Sequence, residues 1–249
     1  MKQVLIISDL HCGNYSGLTP FSYISNKHPL RELAIDFYDW FIEAISKYKI
    51  DICICNGDAI DGEGKKETID LLTTDVNIQI NMACEILEKI NAGKYYFTYG
   101  TPYHVTSSMH AEEIIADKMK GVIQRELDID VYGKLLNFRH STSKTSVPYG
   151  QGTLIAKRGI WNLINSVLED KRKADVVIRS HIHEKVILKN NVGISASTPA
   201  LELPFTEYGL KCEGFYNVGF FVLDIYPDGK IDIHEEDYKI KSIDKIIYS

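Results

Sequence analysis

The segment Ile50-Asp51-Ile52-Cys53-Ile54-Cys55-Asn56-Gly57-Asp58-Ala59-Ile60-Asp61-Gly62 carries the reading of the fold. Its apolar run, Ile50 to Cys55, breaks at Asn56-Gly57, and a carboxylate follows at once, with another three positions on. That is the layout of a buried strand that ends and delivers an acid to a loop. Alone, a Gly-Asp after a strand is more often an ordinary turn; its weight here comes from repetition of the same pattern in both directions along the chain.

Toward the N-terminus, Val4-Leu5-Ile6-Ile7 is a β-rich run of the kind covered on both faces, and it ends in Ser8-Asp9-Leu10-His11. Asp9 and His11, two apart in extended chain, project to one side and can share an ion. Toward the C-terminus, the strand Tyr95-Tyr96-Phe97-Thr98-Tyr99 ends in Gly100-Thr101-Pro102-Tyr103-His104. Leu135-Leu136-Asn137-Phe138 closes with Arg139-His140, and Asp175-Val176-Val177-Ile178 with Arg179-Ser180-His181-Ile182-His183. Further β-structure is expected at 185 to 188, 192 to 196, 217 to 226 and 230 to 235, and a long loop from Pro199 to Gly214.

Helices fill the intervals. Pro29 is expected to open one, where its missing N–H costs nothing, with Leu30, Leu33, Ala34, Phe37, Phe41, Ala44, Ile45 and Tyr48 as its core stripe. A second covers Asp75 to Asn91, a third runs from about Met109 to Leu127 with Glu112-Glu113 in its first turn, and a fourth is marked by Ile160, Trp161, Ile164, Val167 and Leu168. Ser141 to Gly152, too polar to pack a core, reads either as a surface loop or as a lid over the site.

The 249 residues are 45% hydrophobic and 25% charged, with a formal charge of −6 and a pI near 5.8. That balance fits a globular protein and gives no global attraction to duplex nucleic acid or anionic membrane. No run is long and apolar enough to span a bilayer, and Met1-Lys2-Gln3-Val4 has no signal-peptide layout, so a cytoplasmic location is expected, as one domain spanning 1 to 249. Five cysteines without a C-x-x-C pair indicate neither a disulfide framework nor a zinc ribbon. Cys12 is read as a neighbour of the site; His28 and His234 are read as structural, and His110 as solvated.

In an open α/β sheet the carboxyl ends of the strands lie along one edge, so Asp9, His11, Asp58, His104, His140, His181 and His183 can meet there. Carboxylates and imidazoles without thiolate suit Mn, Fe, Zn, Ni or Co. The number of ligands exceeds what one tetrahedral ion needs and fits two divalent ions sharing Asp58. Such a pair holds a hydroxide and clamps a phosphoryl oxygen during in-line displacement.

D-x-H (Asp9, His11), G-D-x-x-D (Gly57, Asp58, Asp61), a lone histidine after a strand (His140) and H-x-H (His181, His183) resemble, in the same order, the motif series of the calcineurin-like metallophosphoesterases. The resemblance implies a four-layer sandwich of two mixed β-sheets flanked by helices, with a dinuclear site at a sheet edge. It implies that Asp9, His11 and His183 hold one metal with Asp58, that His140 and His181 hold the other with Asp58, and that Asp61 steadies the loop. The family's G-N-H-[DE] is missing: Gly100-Thr101-Pro102-Tyr103-His104 stands there. Either Thr101 takes the asparagine's place and His104 protonates the leaving oxygen, the reading favoured here, or His104 is itself a ligand. Arg139 and Arg179 face the phosphate or form structural salt bridges. With Lys65, Lys66 and Lys144 they could line a short basic groove for a single strand or a cyclic nucleotide, which inclines the expectation to phosphodiesters. A phosphomonoesterase of the same mechanism and a non-catalytic scaffold are the alternatives.

Overall fold

The computed structural model describes residues 1–63, 70–101, 111–143, 147, 150, 152–206, 209 and 216–240. His104, His110, Lys65, Lys66, Lys144 and Cys212 lie outside them.

The apolar run that precedes Asn56 forms β2 (Ile52–Asn56), parallel to β1 (Lys2–Ile7) on one side and to β3 (Lys94–Thr98) on the other. Alternation along β1 explains why a continuous hydrophobic run is needed. Val4 and Ile6 enter a core between two sheets, while Leu5 and Ile7 enter a core beneath helices. β2 divides the same way, with Ile54 facing one core and Cys53 and Cys55 the other. The first sheet is completed by β4 (Val122–Gln124) beyond β3, and by antiparallel β10 (Gly219–Ile225) and β11 (Ile231–Asp237) beyond β1. The second sheet has the order β5-β6-β7-β9-β8, from β5 (Leu127–Val131), β6 (Lys134–Phe138), β7 (Val176–Arg179), β8 (Val186–Asn190) and β9 (Gly193–Ser197). β6, β7 and β9 run parallel; the edge strands β5 and β8 are antiparallel to their neighbours.

Helices α1 (Arg31–Ser46), α2 (Val76–Ile90) and α3 (Ala111–Lys118) cover the outer face of the first sheet, and α4 (Thr153–Leu168) covers the second. The result is the four-layer sandwich of two mixed sheets that the motif resemblance implied. α2 is capped at its start by Asp75, whose carboxylate accepts from the Asn77 and Ile78 amides, and it ends at Asn91 in the left-handed region. No helix among the described residues is long and apolar enough to cross a membrane.

Two helix boundaries differ from the sequence expectation. α1 starts at Arg31, not at Pro29, because the Leu30 N–H is taken by the His28 ring and Leu30 is outside helical geometry. The helix expected to reach Leu127 stops at Lys118. Lys120 adopts φ +53°, and amides of Lys120 and Gly121 close back onto Asp117 and Ala116. A Cβ at Gly121 would meet the Phe97 ring at 2.6 Å, so the chain turns there against β3 and continues as β4. The alternation of buried Leu127, Ile129 and Val131 with exposed Asp128 and Asp130 then makes β5.

Candidate metal centre

Six of the residues singled out in sequence converge at the carboxyl ends of β1, β2, β6 and β7, at the seam between the two sheets. Strand-end amides lock these loops to one another: Asp9 N–H donates to the Gly57 carbonyl at 3.1 Å and His11 N–H to the Asp58 carbonyl at 3.1 Å. Among the described residues nine non-glycines have positive φ, and five are Asp9 (+52°), His11 (+45°), Asp58 (+50°), His181 (+75°) and His183 (+55°). Each such conformation costs on the order of 1–3 kcal/mol and persists where the surroundings over-determine it. Concentrating them on candidate ligands re-aims those side chains from the strand direction into one pocket.

Two ligand groups result. Asp9, Asp58, His140 and His181 form one, and Asp9, His11 and His183 the other, with the donor atoms of each group within 4.8 Å of one another. Asp9 is common to both groups, and Asp58, the carboxylate expected to be shared, belongs to the first. Asp58 Oδ1 accepts the Thr101 amide at 2.6 Å and the Thr101 hydroxyl reaches both its oxygens at 3.2 Å. Asp9 Oδ1 is 3.1 Å from His183 Nε2 and 3.9 Å from His140 Nε2. Asp58 Oδ2 is 2.8 Å from His140 Nε2 and 4.0 Å from His181 Nδ1. The His140 and His181 rings stand 5.3 Å apart, and the His11 and His183 rings 5.7 Å.

The donor chemistry fits divalent cations. His140 Nδ1 lies 2.7 Å from the Asn56 carbonyl, an acceptor only, so this nitrogen carries the proton. Its buried Nε2 has no hydrogen-bond partner and faces two carboxylates. A bare lone pair beside anionic oxygens requires a cation, either a proton or a metal ion. The electrostatics agree. Burial alone would lower the His140 pKa, but Asp58 and Asp9 outweigh it and push it up to about 9. His11 is raised well above 6.5 against its burial by Glu202 and Asp61. Asp9, although burial opposes its charge, is held well below the usual carboxylate range by His183 and His140. His181 is lowered, by burial first and by His140 next. Its side chain is 40% exposed, which makes it the solvent-facing flank of an otherwise buried set. Cys12 is not a donor here: its thiol, pushed up by burial, bonds the Leu18 carbonyl.

Supporting residues complete the site. Asp61 accepts at 3.1 Å from the His11 ring and at 3.2 Å from Asn14, the loop-steadying role expected of it. Three others escaped the sequence reading. Asn56 links the two sheets, donating to Ser180 Oγ at 2.6 Å and accepting from Thr98 at 2.9 Å, and the hydroxyl chain continues through Thr198 to Ser8. Glu112 is buried beside Gly100, with its pKa raised by burial and by Asp58. Glu202, held by the Tyr216 hydroxyl at 2.6 Å, lies 3.6 Å from His183 Nδ1. The only sequence signal was position: a polar residue one or two places from a strand-end ligand in the case of Asn56, and none for the other two.

Arg139 and Arg179 do not join this group. Both point to Glu126, at 3.9 Å and 3.6 Å, and the buried Arg179 guanidinium also donates to the Ile178 carbonyl at 2.8 Å. Thr101 is spent on Asp58. His104, the expected catalytic residue, lies outside the described residues.

No protein-family model matches the chain, and no curated protein matches it in sequence. Solved structures match it in shape. A single mutant of Vps29 from Entamoeba histolytica is similar at 12% identity and TM-score 0.50, over 95% of this chain and 99% of that one. Vps29 from Chaetomium thermophilum is similar at 11% identity and TM-score 0.50, over 96% and 98%. An archaeal phosphodiesterase is similar at 14% identity and TM-score 0.47, over 94% and 99%. At such identities the likeness concerns the fold, and the fold is that of the calcineurin-like phosphoesterases.

Proposed function

We propose that the protein is a metal-dependent phosphoester hydrolase of the calcineurin-like family that favours phosphodiesters, single-stranded nucleic acid or nucleotides among them. The observation that carries this reading is the pair of His/Asp groups meeting at Asp9, five of whose six residues sit in left-handed backbone at three strand ends: after β1, Asp9 and His11; after β2, Asp58; after β7, His181 and His183.

Asp9, ionised at all working pH, and the imidazoles of His11, His140, His181 and His183 would hold two divalent ions with Asp58. When bound, such ions supply Lewis acidity toward a phosphoryl oxygen and a nucleophilic water at neutral pH. The chain's own residues prepare the rest. The Asn56 carbonyl fixes the His140 tautomer so that Nε2 points inward. Asp61 orients the His11 ring, and Thr101 orients Asp58. The exposed flank at His181 is where a phosphoester would enter. In this reading His104 protonates the leaving oxygen, so His104→Ala keeps its metal content while kcat falls about 10²- to 10⁴-fold; loss of one ion from that variant would make His104 a ligand instead. The diester preference rests on the sequence, with Lys65, Lys66 and Lys144 as the remaining basic residues for a groove, Arg139 and Arg179 being engaged by Glu126.

The test is metal analysis of protein purified without chelator, together with Mn-stimulated hydrolysis of bis-p-nitrophenyl phosphate against the monoester. Two ions per chain and faster diester turnover support the reading. Fewer than one ion and no turnover overturn it, and faster monoester turnover overturns the substrate class.

A further inference from the structure

The segment that follows β9 closes the back of one ligand group. Leu201 N–H donates to the Ser8 carbonyl at 3.1 Å, Leu203 N–H to the Ser16 carbonyl at 2.8 Å, and Leu18 N–H to the Leu201 carbonyl at 3.1 Å. Gly17 meets Glu202 in an antiparallel bridge, and a Cβ at Gly17 would lie 2.1 Å from the His11 carbonyl oxygen, so only a glycine lets the chain after His11 fold back this closely. On the other side Ala200 N–H donates to the Asn217 carbonyl at 3.0 Å and Asn217 N–H to the His183 carbonyl at 2.8 Å. The segment around Glu202 is thus tied by backbone to the loops of both His11 and His183.

Glu202 is 3% exposed, between the fully buried Leu201 and Leu203. A carboxylate in such surroundings is costly unless its charge is met. The Tyr216 hydroxyl donates to its Oε2 at 2.6 Å, and the same oxygen lies 3.6 Å from His183 Nδ1, longer than a hydrogen bond but close for two buried groups. The Tyr216 ring stands edge-on to the His183 ring, with centroids 4.8 Å apart, so one residue steadies both the carboxylate and the imidazole. Through its other nitrogen, Nε2, His183 faces Asp9 Oδ1 at 3.1 Å. The His11 ring has Asp61 at 3.1 Å. Both imidazoles of this group are therefore backed by a carboxylate, whereas His140 in the other group is backed by the neutral Asn56 carbonyl. We propose that Glu202 is a positioning residue for the ion held by Asp9, His11 and His183: its carboxylate, steadied by Tyr216, keeps the His183 ring with Nε2 turned to the cation and makes that imidazole a stronger donor. The proposal rests on the metal centre described above and extends it, because the two ions then differ in what stands behind their ligands.

Titration calorimetry with Mn on the full chain, stripped of metal beforehand, tests this. The wild type is expected to take two ions. Glu202→Gln keeps an oxygen for the Tyr216 hydroxyl but removes the charge, and it should weaken one ion about 10- to 100-fold while leaving the other unchanged. Glu202→Asp, which keeps the charge, should recover part of that loss, and Tyr216→Phe should weaken the same ion by a smaller factor. In a His181→Ala background the Glu202→Gln loss should persist, and in a His11→Ala background it should vanish, which identifies the ion concerned. Wild-type affinity for both ions in Glu202→Gln would overturn the inference and leave the metal centre standing, whereas a wild-type chain that binds no Mn would overturn both. Equal weakening of both ions with no recovery in Glu202→Asp would also overturn it, by making Glu202 structural. If Glu202→Gln loses its far-UV circular dichroism, Tyr216→Phe decides, and undiminished affinity in that variant overturns the inference.

Discussion

The seam of strand ends and the outer face of α4 each break a local rule, and they break it in opposite ways. At the seam the cost is carried inside the molecule. Five ligands sit in left-handed backbone, and buried carboxylates face buried imidazoles. On α4 the backbone is regular and the cost is at the surface, where apolar side chains meet solvent. The kind of violation shows what could relieve it. Buried strain and uncompensated polar atoms are relieved by small cations, which can enter; apolar side chains at a surface are not.

The largest effect should come from Asp9, the carboxylate common to both ligand groups. Asp9→Asn is expected to lower hydrolysis by roughly a thousandfold or more and to remove metal, whereas Asp61→Asn, acting through the His11 ring, should cost only about 10- to 100-fold in metal affinity. Isothermal titration with Mn on both variants measures the contrast, and equal losses would erase the distinction between ligand and support. Next come two glycines with similar φ. Gly57 (+84°) would place a Cβ 2.5 Å from the His140 ring, while Gly133 (+77°), at the tip of the β5–β6 hairpin, has nothing within 4 Å. Gly133→Ala should cost about 1–2 kcal/mol from backbone conformation alone, and Gly57→Ala about 1–3 kcal/mol more from displacing His140, by urea denaturation.

Proton competition is smaller and has a definite sign. Because the folded pKa of His140 is raised from 6.5 to about 9, its contribution to stability in chelated protein is full below about pH 6.5 and is lost as pH rises through 9. Asp9, shifted downward, contributes above its ordinary carboxylate pKa and loses that contribution in acid. The thermal midpoint of chelated protein should therefore decline between pH 6.5 and 9, while Mn affinity rises over the same interval, because the metal replaces a proton that is already leaving. The smallest effect belongs to α4: Val167→Ala should change the stability of the isolated chain by no more than about 0.5 kcal/mol.

Much of the site was legible because its ligands follow strand ends. A run such as Val4 to Ile7 announces a doubly covered strand, and the first polar residues after it are obliged to leave the core together. The hairpin after α3 was less legible. Val122, Ile123 and Leu127 can be read at helical spacing, and the period-two signal of Leu127, Ile129 and Val131 begins inside the stretch that this reading assigns to helix. Glu112 looked like a carboxylate placed for a helix dipole, and only the approach of Gly100 and Asp58 buries it. For Arg139 and Arg179, nearness to ligands suggested a phosphate, but Arg139 precedes His140 directly and consecutive strand residues point to opposite faces, while the left-handed backbone of His181 breaks the alternation after Arg179; both arginines reach Glu126.

The order and type of the ligands, their delivery from strand ends and the existence of α4 follow from the chain itself, since residue type and spacing act locally. That Asp9 belongs to both groups, and that the stripe of α4 faces outward, came only from tertiary structure. An oxygen's neighbours depend on how two sheets and the β3 loop approach one another, and periodicity defines a helix's stripe without saying which side the sheet will take.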